Sequence, residues 1–376
     1  MTSSYAIVMV DFKERAVDAI RRLRRIDVDG LLLFPGADIG YFTGLAMGPS
    51  ERLAAAVIPT ESEASLVVNE LEKELRGQRP WIRQVEVWRE HEDPVKLLAD
   101  VIARLGLSKG KIGISEDAYW GWVNRLQAML PDASFVDASP QLQSIRMIKS
   151  PDEIEWTRKA CEIADRALLH SFEQLRVGTT ERQLAALITS EMKNLGGGEV
   201  FCSVLFGARA ALPHGVASEE ELKPGQSILV DTGATYQGYW SDITRTVFFG
   251  EPTRRQREIY STVLGANEAA FKAAEPGKAC EKVDAKGREA INDAGFGPNF
   301  IHRLGHGVGL QVHEHPYIVR GNRLRLKHGM VFTIEPGIYI VGEIGVRVED
   351  TVLCTPQGCE RLTGFVRELL AYPART

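Results

Sequence analysis

Five side chains in the second half of this 376-residue chain have the types and settings for metal chemistry. Asp231 ends the apolar run Ser227-Ile-Leu-Val-Asp231, and Asp242 precedes the run Ile243-Thr-Arg-Thr-Val-Phe-Phe249. His306 sits among glycines in Gly305-His-Gly-Val-Gly309, where backbone can approach a ligand closely. Glu335 ends the apolar run Val331-Phe-Thr-Ile-Glu335, and Glu349 lies in Gly345-Val-Arg-Val-Glu349-Asp350, which alternates with period two. Carboxylates set in apolar strands repel one another and lose hydration, at a cost on the order of several kcal/mol unless a cation compensates. Four carboxylates and one imidazole form a hard, oxygen-rich donor set. Such a set suits two divalent ions better than one tetrahedral zinc.

Positioning these groups requires particular elements. The stretch from Ser227 to Phe249 reads as a hairpin turning at Gln237-Gly238, which brings Asp231 and Asp242 together. Arg347 is two residues before Glu349, so on a strand both point to one face. It reads equally as a partner that orients a ligand or as a structural ion pair. Tyr239 and Trp240 precede Asp242, and either can wall a pocket, with core packing an equal reading for Trp240. His214 lies in a Leu-Pro-His-Gly loop and His313 in Val-His-Glu-His-Pro.

The chain before this region alternates strands and helices and reads as an α/β layer domain. A basic helix spans Lys13 to Arg25, and its charges are broken by Glu14 and Asp18, as on a solvated face. Strands follow at Gly30–Phe34, Leu53–Ile58, Ala64–Val68 and Lys111–Ser115, with a helix over Pro94–Leu105. No catalytic constellation, phosphate-cradling loop or repeat occurs there. The boundary falls near Ser144–Ser150, giving domains over 1–146 and 147–376. Ser150-Pro-Asp-Glu153 has the pattern of a capping box with proline at the first helical position. Further helices are expected over Thr180–Leu195, Thr253–Ala274 and Cys280–Ala294, with Gly295 closing the last. His302 and His328 read as structural, and His315 as loop.

A net charge of −5 gives no general attraction to nucleic acid or an anionic membrane. The five cysteines lack metal-site spacing and read as reduced thiols. The apolar run Tyr5–Val10 is too short for a signal segment or a membrane span. A cytoplasmic protein with no membrane or nucleic-acid partner is therefore expected.

The segments SDITRT, HRLGHGVGL, VHEHP, EPGIY and GVRVED together resemble the dinuclear metallopeptidases of the pita-bread fold, a family that includes methionine aminopeptidase, aminopeptidase P and prolidase. Ala37–Leu45 resembles the loop after the first strand of the creatinase-like amino-terminal domain in this family. The resemblance implies an α/β creatinase-like domain followed by an α+β pita-bread catalytic domain. It also implies two divalent ions per chain, with manganese, cobalt and zinc left open, and a homodimer is expected. Asp242 and Glu349 would bridge the ions, Asp231 would complete one coordination sphere, and His306 and Glu335 the other. Glu335 would also shuttle a proton, and His214 and His313 would face the substrate. The implied reaction is hydrolysis of Xaa-Pro bonds in small peptides by a dipeptidase. An aminopeptidase P acting on longer peptides, and a same-fold enzyme such as a dimethylsulfoniopropionate lyase, remain as alternatives. A dipeptidase must grip a free carboxylate, and Arg320 or Arg323 is expected to supply the cation, with Arg325 a third choice.

Overall fold

The computed structural model describes residues 11–77, 81–213 and 215–375. It divides into two compact units, the first ending at Arg146 and the second beginning at Met147.

The first unit carries α1 (Phe12–Arg24), β1 (Gly30–Leu33), α2 (Ala37–Thr43), β2 (Ala55–Pro59), β3 (Ser65–Asn69) and β4 (Gln84–Trp88), then α3 (Pro94–Arg104), β5 (Lys111–Ile114), α4 (Trp120–Met129), β6 (Ser134–Asp137) and α5 (Ser139–Arg146). The strands form one mixed sheet in the order β4-β3-β2-β1-β5-β6. Four sequence-expected strands and two helices are present within a residue or two of their expected ends. The Ala37–Leu45 stretch, expected as a loop, is instead the helix α2. It buries Ile39, Tyr41 and Phe42, and Gly44 closes it at a left-handed φ of 79°. Burial of those three side chains outweighs the helix-breaking glycines at its ends.

The second unit begins with α6 (Pro151–Phe172) and α7 (Glu181–Asn194), then β7 (Val200–Phe206), β8 (Ser227–Tyr236), β9 (Tyr239–Trp240) and β10 (Ile243–Phe249). Next come α8 (Arg254–Ala273), α9 (Cys280–Asp293), β11 (Gly305–Gly307), β12 (Glu314–Ile318), β13 (Val331–Ile334), β14 (Gly337–Ile340), β15 (Ile344–Arg347), β16 (Asp350–Thr355), β17 (Gly358–Arg361) and β18 (Ala371–Tyr372). Ser150 caps α6 as read from sequence, accepting from Glu153 N while Glu153 Oε2 accepts from Ser150 N.

One sheet runs β18-β10-β8-β7, with β9 paired to β8; another runs β12-β11-β13-β16-β17. Alternation sorts their side chains. Ile228, Val230 and Ala234 of β8, with Ile243 and Val247 of β10, pack into a core with α6 and α7 residues such as Ala164, Leu168 and Ile188. Val346 and Val348 pack into a second core with Val263, Val283, Phe332 and Ile334, from α8, α9 and β13. Asp231, Thr244, Arg347 and Glu349 occupy the intervening parities and are left to meet one another. The hairpin turn places Gln237 at φ 52° and Gly238 at φ 83°, the left-handed pair that two-residue hairpin loops require.

Arg245 ties the first sheet to the segment that carries Glu349. It is 1 % exposed, donates through Nη2 to Asp350 Oδ1 and to Phe365 O, both at 2.7 Å, and through Nη1 to the carbonyl of Glu349. Its Nε reaches Val366 O at 3.0 Å. Arg245→Met leaves fully buried Asp350 without its closest cation, and is expected to lower stability by about 3 kcal/mol. Ser150→Ala, which removes only the α6 cap, should lose about 1 kcal/mol. Calorimetric unfolding of both variants checks the order; equal losses would refute the ranking.

Candidate functional site

The five expected ligands converge on one cavity of about 750 Å³, within the second unit. Asp231 comes from β8 and Asp242 from the start of β10. The opposite wall is built by His306 of β11, Glu335 after β13, and Glu349 between β15 and β16. His306 Nε2 is 3.1 Å from Glu335 Oε1 and 3.6 Å from Asp242 Oδ2. Donor atoms of Asp242, His306 and Glu349 lie within 4.8 Å of one another, and all three residues are buried. Asp231 leans instead on Arg347, whose Nη2 is 2.5 Å from Asp231 Oδ2.

Neighbouring groups fix these side chains. Thr244 Oγ1 donates to Glu349 Oε2 at 2.5 Å and accepts from Arg347 Nε at 2.8 Å. Thr333 Oγ1 accepts from His306 N at 3.0 Å and donates to Glu335 Oε1 at 3.1 Å. Arg347 Nη1 donates to Tyr339 Oη at 3.0 Å, and Tyr339 Oη is 2.9 Å from His302 Nε2. His302 Nδ1 lies 2.7 Å from the Arg303 carbonyl, an acceptor only, so Nδ1 carries the proton and Nε2 accepts from Tyr339. Arg347 therefore does both jobs left open by its spacing: it pairs with Asp231 and orients its neighbours.

The electrostatics explain what is missing from a purely protein site. Burial, then the charge of Glu349, pushes the Asp242 carboxyl well above its usual range. Burial, then Glu335, does the same to Glu349. Asp231 is raised by burial against the pull of Arg347. Burial also opposes ionisation of Glu335, but the hydrogen bond and charge of His306 prevail and hold it at about 2. Among the described residues, Arg347 is the one permanent cation within ion-pair distance of the four carboxylates. With all four acids ionised, one such cation would leave an excess of buried negative charge. Divalent ions fit that excess, and every donor present is of the hard oxygen or imidazole kind.

Other expected positions divide. His313 lines the cavity, with its ring centroid 4.2 Å from that of His306. His214 lies outside the described residues. Tyr239, expected at the substrate, is only 4 % exposed; its hydroxyl donates to Glu153 at 2.5 Å, and its ring packs on Trp156. Strand alternation sends Tyr239 toward α6, and Trp240 lines the cavity beside Phe201. Arg320 and Arg323, expected at the substrate carboxylate, are not among the residues that line this cavity. Both are exposed on the segment after β12, whose backbone is bonded to the start of α9: Glu281 N donates to Asn322 O, and Cys280 N to Leu324 O. Arg323 borders a separate hollow with Glu281 and Lys282, and Arg320 another with Arg288. Two residues missed from sequence line the cavity instead. His302, read as structural, is one, and Arg303 is the other. Both precede His306 by a few residues, in the segment just before β11, and that closeness in sequence was the available signal.

The raised carboxyls have a consequence for pH. Metal-free folded protein keeps protons on Asp242 and Glu349 that the unfolded chain releases near pH 4, so it loses stability as pH rises toward their raised values. Metal requires the ionised forms, so loading reverses that loss and expels protons. The gap in Tm between metal-loaded and chelated protein should widen from pH 5 to pH 8, by about 3 °C or more. It should stay flat in Asp242→Asn; a flat gap in the wild type would contradict the charge analysis.

Comparison with known proteins agrees with this geometry. Residues 155–356 match metallopeptidase family M24, and residues 15–148 match the creatinase/prolidase N-terminal domain. An Xaa-Pro dipeptidase of Pyrococcus furiosus is 37% identical over 360 residues, covering 95% of this chain and all of that one. The crystal structure of a prolidase from Thermococcus sibiricus superposes with a TM-score of 0.92 at 35% identity, over 97% of this chain and 100% of that chain. An X-Pro aminopeptidase from Thermotoga maritima gives a TM-score of 0.81 at 34% identity, over 93% and 100%. The fold is a creatinase-like amino-terminal domain followed by a pita-bread catalytic domain. No helix among the described residues is long and apolar enough to cross a membrane. The family match implies divalent metal ions, and Asp242, His306 and Glu349 bring donor atoms close enough together for one: the chain belongs to metallopeptidase family M24.

Proposed function

We propose that this enzyme hydrolyses Xaa-Pro dipeptides, using two divalent ions held by Asp231, Asp242, His306, Glu335 and Glu349. The observation that carries this reading is the cavity itself, where the acidic cluster faces an apolar wall of Phe201, Pro213, Trp240 and Val312. Relatives of nearly full length named as Xaa-Pro dipeptidases support it. The division into a 1–146 domain and a 147–376 catalytic domain is supported by the break after Arg146. When bound, the ions supply hydroxide near neutral pH and polarise the scissile carbonyl. Glu335, ionised throughout the physiological range, accepts the proton of the attacking water. His313 donates a hydrogen bond to the oxygen or nitrogen of the bond being cleaved, and His214 is its expected companion. A prolyl amide has no N–H to grip, and an apolar wall for the ring does not ask for one.

Arg303 replaces Arg320 and Arg323 as the candidate for the dipeptide carboxylate. It lines the cavity, and its guanidinium lies over the Tyr317 ring at 4.2 Å from the centroid. Among the described residues no carboxylate pairs with it. The stacked ring leaves the edge of the fork available to a bidentate anion. A reducing, cytoplasmic setting agrees with five free cysteines, and light scattering would read the expected homodimer.

Metal-loaded wild type should cleave Ala-Pro in preference to Ala-Pro-Ala and Ala-Ala, and elemental analysis should find about two ions per chain. Asp242→Ala should retain neither. In Arg303→Met, kcat/KM for Ala-Pro should fall about 10–100-fold while that for Ala-Pro amide changes little, the range expected for a charge-assisted hydrogen bond. Preference for the tripeptide would favour the aminopeptidase reading, and no cleavage of any Xaa-Pro bond would overturn both.

A further inference from the structure

Beside the loop that presents Val312 and His313 to the cavity lies a buried ion pair. Lys149 is 4 % exposed and Glu314 6 %, and Lys149 Nζ donates to Glu314 Oε1 at 2.5 Å. Lys149 is anchored from behind. Its backbone N–H donates to Gly329 O at 2.8 Å, and the next residue, Ser150, caps α6.

Glu314 directly follows His313 and turns its carboxylate inward. The loop from Val308 to His313 closes over that carboxylate. Gly309 lies so near that a Cβ there would strike both carboxylate oxygens. Gln311 N approaches Glu314 Oε2 at 3.5 Å, and Gly309 N donates to Gln311 O at 3.1 Å. The far end of the same loop presents Val312 and His313 to the cavity. Desolvation makes a buried ion pair a poor source of stability compared with an apolar pair of like volume. What the pair does supply is direction: a fixed cation holds the carboxylate, and the carboxylate holds the turn.

We infer that Lys149 and Glu314 are positioning residues for His313, fixing the loop that aims its imidazole across the cavity. The inference rests on the reading of His313 as the group that meets the substrate. Through the loop, the pair sets a distance between His313 and the reacting atoms on which the rate depends steeply.

The test compares Lys149→Met with the double variant K149M/E314L, each in the metal-loaded full chain. Lys149→Met should lower kcat about 10–100-fold, with KM within about threefold, while metal content is unchanged. It should also speed amide exchange across residues 308–313 by about tenfold, read by mass spectrometry. The double variant also removes the buried carboxylate and should regain the wild-type Tm, yet keep the low kcat and the fast exchange. Recovery of kcat together with Tm would reduce the pair to ordinary stability and overturn the inference. Wild-type exchange across 308–313 in both variants would overturn it equally. If the wild type cleaves no Xaa-Pro substrate, the proposed function falls by itself, and the exchange measurement still decides whether the pair holds the loop.

Discussion

The crowding of like charge in a dry place governs this structure. Asp231, Asp242, Glu335 and Glu349 share one cavity, and the surrounding protein gives them one guanidinium and one well-placed imidazole. At such separations in a partly desolvated site, each unit of repulsion is worth kilocalories rather than tenths. Much of the second unit reads as a response to that constraint. Threonines 244 and 333 spend their hydroxyls on glutamates, Arg347 is clamped between Tyr339 and Asp231, and Arg245 supports the backbone of Glu349 from the other side.

The scaffold meets the constraint by parity. Each sheet gives one face to helices and an apolar core, and the alternate residues of the same strands carry the polar groups. A slip of one residue in the register of β8 against β10, where Thr244 faces Asp231 and Ile243 faces Thr232, would send an acid into the helix-facing core. The hydrophobic pattern and the site are therefore specified together. Wherever the apolar residues settle, the acids must occupy the remaining face.

That coupling explains what could be read in advance. The acids stand out because they interrupt apolar runs, and the hairpin, the capping box and Gly295 follow from local rules that tertiary context leaves intact. Tyr239 and Trp240 could not be ranked, because strand β9 is two residues long and its facing is settled by α6. Arg320 and Arg323 sit at a plausible distance along the chain from His313, yet backbone hydrogen bonds to the start of α9 hold their segment against that helix. No local pattern encodes that attachment. Arg303 was hidden for a similar reason: only the folded chain shows that a residue three positions before a histidine shares its cavity. Ala37–Thr43 is a loop only by the family resemblance, while the burial of Ile39, Tyr41 and Phe42 that makes it a helix depends on neighbours distant in sequence.

The turn at Gln237-Gly238 also has a bearing on how the molecule comes into being. It joins two acids through a local hairpin, whereas His306, Glu335 and Glu349 arrive from much later in the chain. Local pairings close at little loss of chain entropy, and distant ones form after the intervening segments are ordered. A ribosome delivering this chain releases the acidic hairpin well before Glu349. Until those later segments are added, the nascent protein holds two of the five side chains that converge on the cavity. On the proposed assignment, a chain halted before Glu349 would lack one of the side chains that hold an ion.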